Sequence, residues 1–354
     1  MSPATCAALY AGAAPFWYVS LQRVKSALQT RLVPLLALFA AFSFVIMMFN
    51  IPLPGGTSGH AVGAAVTAIV LGPWASILAV SLALLIQAFF FGDGGITALG
   101  ANCFNMAVVG SLVAYAVYRL LAGRSALKAR RRAIAAGLAG YVAINAAAFC
   151  AALELGLQPI LYRDAGGAPL YAPYPWHIAI PAMMIGHLTF AGAAELILSA
   201  GVVAYLQKAN PALLKPTANL PVSAGPGQLN AGSWRSVKRL WLGLAVLLLL
   251  TPAGVLTVGA AWGEWSARDF ANPEARQQIA AASRHQAPPQ QVPHGLEQLS
   301  AVWTAPFPDY APPFVRARSF GYMLSGIFGA GGIILLAVLA GWLVSGRSRT
   351  RRGA

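Results

Sequence analysis

The sequence predicts an all-α polytopic membrane protein with about nine transmembrane helices, about seven in a first region and two in a second. Three observations point there. The chain is 58% hydrophobic and only 9% charged, whereas a soluble domain carries about 25% charged residues. Apolar runs near the length of a membrane span recur from one end to the other. The formal net charge of +15 falls mostly in the segments between those runs, so it reads as a topology signal and calls for no nucleic-acid partner.

A spanning helix needs about 20 apolar residues. Runs of that kind lie at 4–21, 32–50, 57–72, 74–92, 102–122, 133–155, 176–206, 241–263 and 320–345. The third is short, and "GPW" at 72–74 separates it from the fourth. Charge decides whether it crosses. The basic loops "QRVKSALQTR" at 22–31 and "GRSALKARRR" at 123–132 share a side only if an even number of crossings lies between them, and this requires 57–72 to cross. With the N-terminus outside and the C-terminus in the cytoplasm, 18 of the 24 Lys and Arg are cytoplasmic, as the positive-inside rule demands. His60, "GDGGITALGAN" from residue 92 and the outer loop 264–318 then face outward.

Two modules follow. Residues 1–206 carry short loops. Residues 207–240 are rich in Pro, Ala and Gly and read as a cytoplasmic linker. Residues 241–354 hold two helices around the outer loop. The cysteines Cys6, Cys103 and Cys150 are scattered singly, with no CxxC metal or redox spacing; packing or a structural disulfide accounts for them.

Ionisable residues at membrane depth are costly and are functional candidates by default. His60, Asp93, Glu154, His187 and Glu195 are the ones here. His60 follows "PGGTSG", and Asp93 opens a second glycine-rich stretch. Irregular backbone at this depth belongs in protein or along a cavity, so the two stretches are expected to meet in a polar pocket; a pair of ordinary turns is the plainer alternative. Thr57, Ser58, Asn102 and Asn105 are the polar groups near it. His187 and Glu195 lie about 80° apart around one helix, as a polar path or as two separately satisfied groups. No GxxxxGK[ST] phosphate loop, HExxH or GxSxG occurs, which leaves ATP hydrolysis to other chains and makes an enzyme a poor reading.

"FSFVIMMFNIPLPGGTSGHAVGAA", "LGPWASILAVSLALLIQAFFFGDGGITALGANCFNMAVVG" and "MMIGHLTFAGAAE" resemble the CbiM/NikM-type substrate-binding component of nickel/cobalt energy-coupling factor (ECF) transporters. The resemblance covers nearly all of residues 1–206. "VPHGLEQLSAVWTAPFPDY" is similar to the PDGLE motif of the NikN-type subunit, with His294 where that motif has Asp. The resemblance implies a metal-binding membrane domain fused to a NikN-type module. It implies Ni²⁺ or Co²⁺ as transported substrate, no catalytic cofactor, and partners in a transmembrane coupling (T) component and a cytoplasmic ATPase dimer. It places the protein in the bacterial cell (inner) membrane. Square-planar nitrogen ligation suits Ni(II), and the resemblance implies it: a Met-His amino terminus gives three nitrogens and His60 the fourth, with Thr57, Ser58, Asp93, Asn102 and Asn105 around them. The sequence opens "MSPATC". In the family pattern a Met-His-Ile-Pro-Asp-Gly-Phe-Leu opening precedes such a stretch, so roughly seven residues upstream are expected to supply those nitrogens. The alternative is a chain that starts here and holds metal weakly. His294 and Glu297 are expected near the pocket mouth. A self-standing, gradient-driven permease is the second functional reading; it needs an acidic route, for which Glu154, Glu195 and His187 are the only material.

Overall fold

The computed structural model describes residues 1–28, 32–218, 234–257, 259–300 and 302–350. Among these, α1 (Pro3–Leu28) and α2 (Leu32–Met47) lead into an antiparallel hairpin, β1 (Ile51–Leu53) and β2 (Thr57–Gly59), with Ile51 opposite Gly59. Then come α3 (Ala64–Leu71), α4 (Pro73–Ile86), α5 (Leu99–Asn102), α6 (Gly110–Ala122), α7 (Arg130–Leu161), α8 (Trp176–Gly186) and α9 (Gly192–Ala209). The second module contributes α10 (Trp234–Leu250), α11 (Ala267–Ala271), α12 (Pro273–Ala282), α13 (His294–Ser300) and α14 (Arg318–Thr350). A π-helical turn extends α4 through Gln87–Phe91, another joins α5 to α6 through Cys103–Val109, and a third joins α8 to α9 through His187–Ala191.

Six helical rods among the described residues are long and apolar enough to cross a membrane: Pro73–Phe91, Leu99–Ala122, Arg130–Leu161, Trp176–Ala209, Val237–Leu256 and Arg318–Leu343; Val33–Met47 is a shorter apolar helix. α1 has 26 residues but is less apolar and contains Pro15. The expected helical span at 57–72 needs correction. Residues 57–59 form a strand, and α3 has 8 residues, a length of about 12 Å against a hydrocarbon core of about 30 Å. Just before it, Pro52 and Pro54 cannot donate amide hydrogens and Gly55 and Gly56 take positive φ, so the chain turns there and delivers residues 57–59 as a strand. The span expected at 241–263 also stops early. α10 ends at Leu250, and Thr251–Leu256, with Pro252 inside it, is a 3₁₀ turn. Most of the expected linker lies outside the described residues.

The bundle has two chemically different ends. At one, Arg23 lies over the Trp74 ring at 4.8 Å, the Thr217 hydroxyl donates to the Ile69 carbonyl, and Gln207 donates to the carbonyls of Leu127 and Ala129. Arg132 is fully buried there. Its guanidinium donates to the Tyr118 hydroxyl at 3.1 Å and the Ala218 carbonyl at 2.8 Å, so carbonyl and hydroxyl dipoles replace lost water. At the other end, the amide of Ser2 donates to Gln158 and the Tyr174 hydroxyl to the Gln286 carbonyl. Segment 51–71 joins the two: the hairpin lies at the second end, and Ile69 at the first.

Small residues let the helices touch. A Cβ on Gly140 would stand 2.7 Å from the Ser199 hydroxyl, and one on Gly156 2.3 Å from the Trp176 ring. The second module seats α14 on α2 in the same way, with Gly329 over the Phe44 ring and Gly341 over Val33; van der Waals packing of this kind holds helices together in lipid. On α1, Ala7, Ala8 and Ala14 are exposed and Gly12 packs near Phe104. All three cysteines are free thiols.

Candidate functional site

The site grows out of the hairpin. After β2, His60 starts an irregular stretch that ends at Gly63, whose φ of 71° sets the entry into α3. Two groups pin this stretch. The Glu195 carboxylate, 1% exposed, accepts the amides of Val62 at 2.7 Å and Gly63 at 3.0 Å. The Ser43 hydroxyl donates to the Val62 carbonyl. Glu195 thus sits at the amino end of α3, where a negative group is favoured, and also accepts from the Ser199 hydroxyl at 3.2 Å.

His60 lines a cavity of about 280 Å³ together with Thr57, Ser58, Asn102, Asn105 and His187. The structure therefore brings most of the sequence-derived candidates to one place. His60 Nδ1 lies 3.1 Å from the Ala61 carbonyl, and His187 Nδ1 2.9 Å from the Met183 carbonyl. A carbonyl only accepts, so each Nδ1 donates, and in the neutral ring this leaves Nε2 as the lone-pair nitrogen, the tautomer a metal ligand needs. Asn105 and His187 both stand on π-helical turns, which are frequent at functional sites because they re-aim side chains. The Asn105 amide donates to Glu154 at 2.8 Å, while its carbonyl oxygen is buried without a partner. The Asn102 amide donates to the Gly94 carbonyl at 3.3 Å and steadies the second glycine-rich stretch.

Asp93 and Glu195 are placed elsewhere. Asp93 accepts from Gln87 and from the Tyr310 hydroxyl of the second module, and the Tyr310 ring stacks on Phe91 at 4.5 Å. Glu195 stands behind the His60 stretch, so Glu195 and His187 form no shared path; each has its own partners.

The second module forms the rest of the cavity wall. The Thr257 hydroxyl donates to the Asn50 carbonyl, the Ser58 amide to the Ala260 carbonyl at 3.1 Å, and the Ser58 hydroxyl to the Gly259 carbonyl at 2.9 Å. Ser58 and Ala261 thereby pair in parallel beside β2. Ala261, Trp262, Glu264, Ala282 and Arg284 then line the cavity. Glu264 lines the cavity and is itself exposed to solvent. Desolvation by the protein around the cavity first, and the charge of Asp93 second, raise its carboxyl above the usual carboxylate range. His294 and Glu297 are not among the lining residues; next to them, the Leu296 amide donates to the Leu170 carbonyl. Sequence reasoning missed Trp262, Glu264 and Arg284, because nothing in an outer loop's composition marks which residues fold back over a helix bundle.

The donors available are two imidazoles, one carboxylate and one orphan amide oxygen. Among the described residues no three His, Cys, Asp or Glu side chains gather closely enough to hold a metal ion. The wall can offer a cation nitrogen and oxygen ligands, with the imidazoles suited to late first-row divalent metals.

Comparison with known proteins agrees with this architecture. Residues 1–213 match the family described as the cobalt uptake substrate-specific transmembrane region, CbiM, and residues 238–346 match the PDGLE domain. The fused nickel transport protein NikMN of Rhodobacter capsulatus is 51% identical over 352 residues, 99% of this chain and 97% of that protein. The cobalt transport protein CbiM of Geobacter sulfurreducens is 34% identical, over 72% of this chain and 69% of its own. A crystal structure of a transition metal transporter superposes with a TM-score of 0.55 at 49% identity, covering 59% of this chain and 90% of the other. The chain belongs to the CbiM family of metal-transport membrane proteins, with a PDGLE domain of the NikN type fused behind the CbiM region.

Proposed function

We propose that this chain captures Ni²⁺ or Co²⁺ from outside the cell as the substrate-specific subunit of an ECF-type transporter. It sits in the cell inner membrane with its N-terminus outside and its C-terminus in the cytoplasm. The observation that carries the reading is His60: an imidazole whose Nε2 bonds to no described residue, on a stretch clamped from behind by Glu195, in a cavity at the end of the bundle away from the basic loops. His60 is the ligand from the chain's own loop. Thr57, Ser58, Asn102 and Asn105 shape and orient the surroundings, as outer-shell groups do around metal ligands. Further nitrogens come from a Met-His amino terminus of the kind the family resemblance implies. The three units are the CbiM-like region 1–206, the linker 207–240 and the PDGLE-type module 241–354.

No phosphate loop is present in the sequence, so the energy for uptake comes from a T component and an ATPase dimer. The exposed small residues Ala7, Ala8 and Ala14 on α1 offer a face along which a partner helix could pack closely.

The test is nickel uptake and retention in cells carrying the whole transporter. His60→Ala is expected to abolish high-affinity nickel retention while leaving the melting temperature within a few degrees, since His60 makes only one local hydrogen bond. Retention equal to the unaltered protein would refute the reading. Uptake by this chain alone, in vesicles lacking ATPases, would favour the gradient-driven permease instead.

A further inference from the structure

We infer that Glu264, a residue of the fused PDGLE-type module, is the first landing point for the metal: a divalent cation binds its carboxylate before passing to His60. This rests on the functional reading just given and extends it to a second module and a second residue.

Four observations carry it. Glu264 supplies the only carboxylate among the described residues lining the cavity that holds His60 and His187. Its side chain has no hydrogen bond or ion pair to any described residue. Most of the other polar atoms of that wall are engaged: Ser58 with Gly259, Asn102 with Gly94, Arg284 with the His177 carbonyl. An exposed carboxylate that no protein donor occupies is free to take an arriving dication, whose binding releases any carboxyl proton to water. Finally, the position of Glu264 relative to His60 is fixed. The backbone pairing of Ser58 with Ala260 and Ala261 ties the Glu264 segment to the strand that ends one residue before His60. The orphan carbonyl oxygen of Asn105 is a further acceptor in the same wall.

Carboxylate oxygen exchanges quickly with aquated cations and binds nickel less firmly than imidazole does. Such a group speeds loading without competing with the final site. Removing it should therefore slow association more than it weakens final binding.

The test is stopped-flow quenching of tryptophan fluorescence by Ni²⁺, on the protein produced from its own gene and held in nanodiscs; Trp262 lies in the cavity wall and reports on entry. Glu264→Gln is expected to slow association roughly tenfold, in the range by which a local charge changes on-rates. Glu297→Gln, which removes a charge outside the cavity, should leave the rate unchanged, and Glu264→Asp should recover most of it. An unaltered rate in Glu264→Gln, equal slowing in Glu297→Gln, or a Glu264→Asp as slow as Glu264→Gln would each overturn the inference. His60→Ala separates this from the functional reading. If that variant retains nickel, the assignment of His60 fails; if it loses nickel while Glu264→Gln loads at full speed, only the landing role fails.

Discussion

Glu195 shows how one side chain changes meaning between sequence and structure. Eight residues after His187 on one helical run, it reads as a partner of that histidine. In the fold, a π-helical turn at His187–Ala191 intervenes, and the carboxylate turns to the amides of Val62 and Gly63. It holds the stretch that carries His60 and does not itself line the cavity. Hydrogen bonds to a charged acceptor contribute about 1.5–3 kcal/mol each, and an orphaned buried donor costs a similar amount. Glu195→Ala should therefore lower stability by several kcal/mol and weaken nickel retention with it. Glu195→Gln, which keeps one acceptor oxygen, should lose less. Thermal unfolding in detergent checks this. A Glu195→Ala protein that melts like the unaltered one would show that the amides find other acceptors. The place of His60 in a cavity wall was legible from the sequence, because a histidine among Gly, Pro and Ser at membrane depth has few structural uses. The duty of Glu195 was not, since 132 residues separate it from Gly63.

At the scale of elements, the sequence placed most of the apolar helices well and misread the ends of two. Residues 57–59 and 257–261 both looked like parts of helical spans. Residues 57–59 are a strand instead, and Ala260 and Ala261 lie beside it, bound through Ser58. Nothing local predicts that: the pairing joins segments 200 residues apart, and long-range strand contacts leave no periodic signal in a chain whose other elements repeat every 3.6 residues. What the sequence does show, in hindsight, is glycine. Gly259 has φ 101°, and a Cβ there would stand 2.0 Å from the Gly56 carbonyl oxygen. Only glycine allows this approach. Gly259→Ala should push residues 259–261 off the hairpin at a cost of about 1–3 kcal/mol, the usual price of a strained backbone position. The Ser58 amide, which donates to Ala260, should then exchange its hydrogen roughly ten- to a hundredfold faster, since about 1.4 kcal/mol is tenfold in a local opening equilibrium. Hydrogen exchange read by mass spectrometry on peptides covering Ser58 measures it. Unchanged protection would mean that the pairing does not hold the second module over the cavity.

For the whole molecule, the distribution of charge carried an inference that helix prediction could not. Even crossing between the loops at 22–31 and 123–132 demanded that segment 57–72 traverse the bilayer, although it is too short and too glycine-rich to do so as one helix. The fold satisfies the count by another route. The hairpin enters at the cavity end, irregular residues 60–63 run along the cavity wall, and α3 completes the path to Ile69, which accepts from Thr217 at the basic end. Non-helical backbone is tolerated at that depth because protein groups answer its polar atoms: Glu195 for two amides, Ser43 for the Val62 carbonyl, Ala260 for the Ser58 amide. This makes a sharp topological prediction. Ala126, between α6 and α7, and Ala165, between α7 and α8, are both exposed and flank opposite ends of α7. In a chain whose half-buried Cys150 is replaced by Ala, a cysteine at Ala165 should react with a membrane-impermeant maleimide on intact cells. A cysteine at Ala126 should react only after the cells are opened. Labelling of both on intact cells would contradict the two-ended bundle itself. The reverse pattern would put the His60 cavity and the landing carboxylate in the cytoplasm, where a capture subunit for external metal could not use them.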